Sequence, residues 1–190
     1  MMAWREATGG KAEEVLDAAL GIELIHSMSC VHDDIIDKST SRHGDKALWV
    51  EYDINWAICV GDVMLSQALN LFKDEERDLV NRALIRLIIG QIEPENLDNI
   101  ERCHEKTSAL FAISCRLGAL NHASDIEVWG TNLGIIYQAI DDLQDNDGFV
   151  SKSKFILDKY LPLCTLSLPE DSESYKVLNT IIEKIKSIGN

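Results

Sequence analysis

The chain has 190 residues and a formal net charge of −14, with 18 Lys and Arg against 32 Asp and Glu. A chain of this size buries roughly 70% of its unfolded surface and supports one domain with a real core. The acidic balance excludes a nucleic-acid or anionic-membrane surface, because such partners need clustered basic residues. No signal-peptide pattern and no run of 18 apolar residues occurs, so neither secretion nor stable membrane insertion is expected. Cys30, Cys59, Cys103, Cys115 and Cys164 are odd in number and lack C-x-x-C spacing. They read as reduced core residues of a cytoplasmic protein.

Ala, Leu, Ile, Glu and Met dominate the first ninety residues, which hold no proline, and this composition favours helices. Gly9-Gly10-Lys11 reads as a helix-start loop. A helix then runs from about Ala12 into Asp33, with Val15, Ala18, Ala19, Ile22, Ile25 and Ser29 on one face. Residues 38–46 break the period and form a polar loop. An apolar segment follows from about Ile54 to Phe72, where Gly61 permits a close helix contact. The next helix fits Glu75–Ile89 with Gly90 as its C-cap. Another extends from about Asn96 to Leu120. The fifth long helix, about Asp125 to Asp145, is expected to bury Leu133, Ile136, Tyr137 and Ile140 and to end at Asn146-Asp147-Gly148. A short apolar segment through Leu161 and a last helix from about Ser172 to Ile188 complete the chain. With no competing strand period, the expected class is an all-α bundle.

Two acidic turns close helices in this scheme. Asp33 and Asp37 are i,i+4 neighbours, Asp34 lies between them, and the spacing recurs as Asp141, Asp142 and Asp145. Two carboxylates about 5 Å apart repel by roughly 3 kcal/mol at an effective dielectric of about 20, which a cation would relieve. One such turn is as readily a solvated helix end. Two copies, each ending an apolar run, weigh against that. In a bundle, two such turns on facing helices would bring six carboxylates to one cavity mouth, and all-oxygen donors suit Mg²⁺ bridging to phosphates. Arg42 and Lys106 could complete an anion site, although singly each also suits an ordinary surface. His32, the residue before the first turn, reads as a hydrogen-bonded helix residue.

These residues carry a resemblance. Ile25-His26 followed by Val31-His32-Asp33-Asp34-Ile35-Ile36-Asp37, then Arg42-His43-Gly44, Gly61-Asp62, Lys106-Thr107 and Tyr137-Gln138 before Asp141-Asp142-Leu143-Gln144-Asp145 stand in the order found in trans-isoprenyl diphosphate synthases. The likeness runs from about Gly21 to Asp145. It implies an isoprenoid-synthase-type helical bundle around a central cavity, cytoplasmic and homodimeric. It further implies condensation of an allylic prenyl diphosphate with isopentenyl diphosphate.

By that resemblance three Mg²⁺ ions would be held by Asp33, Asp37 and Asp141, with Asp34, Asp142 and Asp145 nearby or bonded through water. Arg42 and Lys106 would contact diphosphate. Thr107 and Gln138 would face the cation with oxygen dipoles, or serve helix packing. Ser29 and Met28, four and five residues before Asp33, would line the product tunnel; a small and a flexible side chain there imply a product of about twenty carbons or longer.

The chain departs from the family at the homoallylic substrate. The Gly-Gly-Lys-x-x-Arg-Pro segment is absent, since Gly9-Gly10-Lys11 is followed by Ala12-Glu13-Glu14, and His43 stands where the family has a second arginine. The family's N-terminal helices have no counterpart in the single domain expected over 1–190. Lys152 and Lys154 are alternative diphosphate contacts after the second motif. The departures leave a second reading open, a non-catalytic or regulatory subunit that binds allylic diphosphate. A terpene cyclase fits less well, because Asp141, Asp142 and Asp145 stand where cyclases typically carry an Asn/Ser/Glu set.

Overall fold

Apolar residues at positions 18, 21, 25 and 28 recur at steps of three and four, the spacing that keeps one helix face against a neighbour. In the computed structural model this stripe is the buried face of a long helix. The structure describes residues 1–92, 100–119, 123–145 and 150–163, together with 176, 179, 180 and 183; for 100–105, 123, 124, 142, 144, 145 and 150–154 it describes the backbone alone. The chain divides into two compact units, Leu16–Arg77 and Met1–Val15 with Asp78–Asn190.

The Leu16–Arg77 unit is built on α2 (Leu16–Ile36) and α4 (Ile54–Asn70), joined by the strands β1 (Ser41–Arg42) and β2 (Asp45–Lys46) and by the short α3 (Leu48–Glu51). α2 and α4 run antiparallel and touch where glycine removes a side chain. A Cβ on Gly21 would stand 2.6 Å from the Phe72 ring, and one on Gly61 would meet the ring of His32. Gly61 thus serves the close contact its position suggests. Asp53 caps α4 by accepting from the Trp56 amide at 2.8 Å, which satisfies one of the helix's orphan donors.

In the other unit, α1 (Met2–Ala7) and a 3₁₀ turn (Ala12–Val15) accompany α6 (Ile100–Gly118), α7 (Ala123–Asp145) and α8 (Val150–Tyr160). The unit boundary at Arg77 falls inside α5 (Asp74–Ile92). Glu76 accepts from the Lys73 amide at 2.9 Å at the start of α5, and Asp74, Glu75 and Glu76 complement the positive end of the helix dipole. α6 and α7 are antiparallel, meeting through Gly130 and Gly134. Their core holds Cys115, Trp129, Leu133, Ile136 and Ile140, with Trp4 of α1 set edge-on to Trp129 at 5.3 Å. Ile156 of α8 closes over Ile135 and Ala139.

The all-α class is as expected, and several details differ. The expected first helix begins as a 3₁₀ turn and becomes α only at Leu16. The polar loop 38–46 contains a two-stranded hairpin, with Ser41 opposite Lys46 and Arg42 opposite Asp45. Gly90 is not a C-cap: α5 continues to Ile92, and Gly90 serves a close approach, since its Cβ would stand 2.5 Å from that of Lys106. Tyr137 is 48% exposed, because it lies one residue round from buried Ile136; its ring stands tilted beside that of Phe111, 5.5 Å between centroids. Cys59 is exposed rather than core, being turned about 200° from buried Ala57 on α4. Cys30 is half-buried and Cys115 is buried, with burial pushing the Cys115 thiol up to about 11. The side chains of Cys103 and Cys164, the terminator Asn146-Asp147-Gly148, the helix start at Asn96 and most of the last helix from Ser172 to Ile188 lie outside the described residues.

Candidate active site

α2 delivers the first acidic turn. The Asp37 amide donates to the Asp33 carbonyl at 2.8 Å, so the helical i,i+4 relation holds although Asp37 is the first residue past Ile36. The three carboxylates meet different surroundings. Asp37 is exposed, Asp33 half-buried, and Asp34 only 4% exposed. Along a helix 33 and 37 differ by about 40° in direction, whereas 34 is turned about 100° from 33.

Arg42 accounts for the burial of Asp34. Its Nε donates to Asp34 Oδ1 at 3.1 Å and to Oδ2 at 3.3 Å, and its Nη2 donates to Oδ1 at 2.6 Å. Hydrogen bonding to this carboxylate raises the Arg42 pKa further, against the opposing effect of burial. The pair belongs to a larger strap over the end of α2. The Ser39 amide donates to the Asp34 carbonyl at 2.9 Å, Ala47 to Thr40 at 3.0 Å, and the Trp49 indole to the Ser39 carbonyl at 2.7 Å. His43 and Gly44 turn the hairpin with φ of 53° and 91°, the left-handed pair that a two-residue I′-type turn requires. His43 is exposed at this tip.

Further back on α2, Met28 and Ser29 are 4% and 8% exposed, and the Ser29 hydroxyl donates to the His26 carbonyl at 2.8 Å. His32 presses its ring on Gly61, and its buried Nε2 has no hydrogen-bond partner, so the hydrogen-bonded role expected for it does not extend to that nitrogen.

The other unit carries the remaining candidates. Lys106 and Thr107 are half-buried on α6. Thr107 Oγ1 donates to Gln138 Oε1 of α7 at 2.6 Å, so both residues tie the two helices together at one level. Asp141 is exposed near the end of α7, less than one turn beyond Gln138. The side chains of Asp142, Asp145, Lys152 and Lys154 lie outside the described residues.

The donor chemistry of the first turn fits Mg²⁺. Asp33 and Asp37 offer carboxylate oxygens from one side of a helix end, the donor type that Mg²⁺ takes together with several waters. Among the described residues no group of three or more His, Cys, Asp or Glu side chains closes around a metal position. Sequence reasoning missed the Asp34–Arg42 pair. The signal for it was the His43-Gly44 dipeptide, a hairpin turn that folds Arg42 back toward α2.

Comparison with known proteins identifies the family of the chain. Residues 1–159 match the polyprenyl synthetase family. The chain is 34% identical over 164 residues to the geranylgeranyl diphosphate synthase of Sulfolobus acidocaldarius, covering 71% of this chain and 49% of that protein. It is 30% identical over 146 residues to heptaprenyl diphosphate synthase component 2 of Bacillus subtilis, covering 67% and 42%. The chain spans about half the length of the curated relatives it matches. An isoprenoid synthase family member from Thermotoga neapolitana superposes with a TM-score of 0.82 over 97% of this chain and 82% of that one, at 24% identity, a likeness of fold. On the match over 159 of its residues, the chain belongs to the polyprenyl synthetase family.

Proposed function

We propose that this chain carries the allylic-diphosphate site of a Mg²⁺-dependent trans-prenyltransferase that joins an allylic diphosphate to isopentenyl diphosphate. The observation that supports it most is a guanidinium, Arg42, anchored by Asp34 on the same helix end that carries the Asp33 and Asp37 carboxylates. That set offers metal ligands and a direct cationic contact to one diphosphate. Bound Mg²⁺, three ions by the family resemblance, would stabilise the negative charge that develops on the departing diphosphate. Asp33, Asp37 and Asp141 would hold it, with Asp142 and Asp145 nearby.

Arg42 and Lys106 would orient the diphosphate oxygens. Thr107 and Gln138 would turn oxygen dipoles toward the allylic carbons. Met28 and Ser29 would line the path of the growing chain, and a flexible thioether beside a small hydroxyl supports a product of about twenty carbons or longer. The reading includes a homodimer in the cytoplasm; among the described residues no helix is long and apolar enough to cross a membrane.

The test is turnover of labelled isopentenyl diphosphate with allylic diphosphates, with and without Mg²⁺. Asp33→Ala and Asp141→Ala should each lose metal-dependent turnover, with circular dichroism checking that each variant is folded. Near wild-type turnover in either variant, with unchanged metal dependence, would overturn the assignment.

His43 at the exposed hairpin tip, where the family carries arginine, favours a second reading: a subunit that binds allylic diphosphate without condensing it. Tight Mg²⁺-dependent binding of allylic diphosphate with weak binding of isopentenyl diphosphate and no turnover would select it. His43→Arg should then tighten isopentenyl diphosphate by about tenfold or more, the worth of one charge-assisted contact.

A further inference from the structure

We propose that Asp34 is a positioning residue rather than a metal ligand: its carboxylate holds the Arg42 guanidinium at the edge of the acidic turn, and Arg42 meets the diphosphate. The inference rests on the diphosphate reading above and divides the labour within the turn. Three observations carry it. Asp34 is 4% exposed, whereas Asp33 is half-buried and Asp37 exposed, so Asp34 is the carboxylate with least access to a hydrated ion. Arg42 donates to both Asp34 oxygens, at 2.6 to 3.3 Å and most closely to Oδ1, so a charge-assisted pair already offsets this carboxylate's charge and a metal would have to compete with it. The Asp34 carbonyl also receives the Ser39 amide, so one residue anchors the hairpin through both backbone and side chain.

The geometry also determines which part of Arg42 reaches a ligand. Asp34 occupies the Nε and Nη2 edge. The opposite edge, Nη1 with the second Nη2 hydrogen, remains for a planar contact with phosphate oxygens. A guanidinium on a long side chain loses much rotamer freedom when it binds an anion. Asp34 removes that freedom beforehand, which is the general basis of preorganised affinity.

The experiment compares Asp34→Asn, Arg42→Gln, the double variant and Asp33→Asn, using Mn²⁺ alone and inorganic pyrophosphate with Mg²⁺ as probes in calorimetry. Asp34→Asn should keep Mn²⁺ affinity within about twofold and lose about tenfold or more in pyrophosphate affinity. Arg42→Gln should show the same loss, and the double variant should be no worse than Arg42→Gln alone, as expected for two residues acting as a unit. Asp33→Asn should instead lose Mn²⁺ affinity. A metal-free readout accompanies these: the Arg42 Nε–H should be protected from solvent exchange by NMR in the wild type and lose protection in Asp34→Asn. The proposal is overturned if Asp34→Asn loses Mn²⁺ as Asp33→Asn does, if the two losses add, or if Arg42 Nε–H protection survives in Asp34→Asn. Wild-type protein that holds a protected Arg42 Nε–H yet binds no Mg²⁺-pyrophosphate would instead overturn the diphosphate reading and, with it, the anion-binding role of Arg42.

Discussion

Gly134 of α7 lies so close to Ser108 of α6 that a Cβ on the glycine would stand 2.5 Å from the serine Cα and 2.9 Å from its Cβ. Ser108 is fully buried, so neither helix has space to yield. One residue away and one turn on, Thr107 donates to Gln138 at 2.6 Å, a distance that depends on the same approach. Gly134→Ala should therefore destabilise the protein by about 1 to 2 kcal/mol, the overpacking cost exceeding the roughly 1 kcal/mol that Ala gains in helix propensity. Denaturant unfolding checks it; a more stable Gly134→Ala protein would contradict this helix contact.

The hairpin tip isolates backbone strain from packing. A Cβ on Gly44 would meet nothing within 4 Å, yet its φ is 91°. Gly44→Ala should cost about 1 to 2 kcal/mol through conformation alone. His43→Asn, at a φ of 53°, should be neutral or slightly stabilising because Asn tolerates the left-handed region. Thermal unfolding of the two variants separates these effects.

Met28 gives the proposed product length its test. It is 4% exposed on α2, about 7.5 Å along the helix from Asp33 at 1.5 Å per residue. Met28→Phe should shorten the chains and Met28→Ala lengthen them, as read by chromatography of the dephosphorylated products. Met28→Ala should also cost about 2 to 5 kcal/mol of stability if the space stays empty. An unchanged product distribution in both variants would leave Met28 a core residue and move the tunnel floor to Ile25.

His26 provides a pH signature on the same helix. Its contact with Cys30 Sγ at 3.6 Å is the main cause of a raised pKa; burial opposes the shift, and the charges of Cys30 and Glu23 support it. Since the folded pKa exceeds the unfolded value of about 6.5, the associated stability is complete below that pH and is lost as pH rises through the folded pKa. The side chain is 57% exposed, so solvent screens the effect and it is small. An NMR titration of His26 should show a raised midpoint in the wild type and a return toward the ordinary value in Cys30→Ala. An unchanged midpoint in Cys30→Ala would remove the thiol as its cause.

Periodicity determined the helical class, and the apolar stripes of α2 and α7 were legible because a core-facing helix must repeat at its own 3.6-residue turn. The two acidic pentapeptides and the order of Arg42, Gly61, Lys106 and Gln138 were equally legible, since motif spacing is local. What neighbours do to a residue was not. Gly90 resembles a helix stop until Lys106 packs on it, Tyr137 resembles core until Ile136 takes the inward direction, and Cys59 resembles a buried thiol until Ala57 and Gly61 define the inner face of α4. The three aspartates of the first turn are indistinguishable by spacing. Only the hairpin, folded back by two residues with positive φ, places Arg42 against Asp34 and leaves Asp33 and Asp37 turned elsewhere. Local sequence specifies which groups are present and how often they repeat. Which groups desolvate one another depends on chain segments brought together by tertiary contacts, and in this protein that decides which carboxylate is buried.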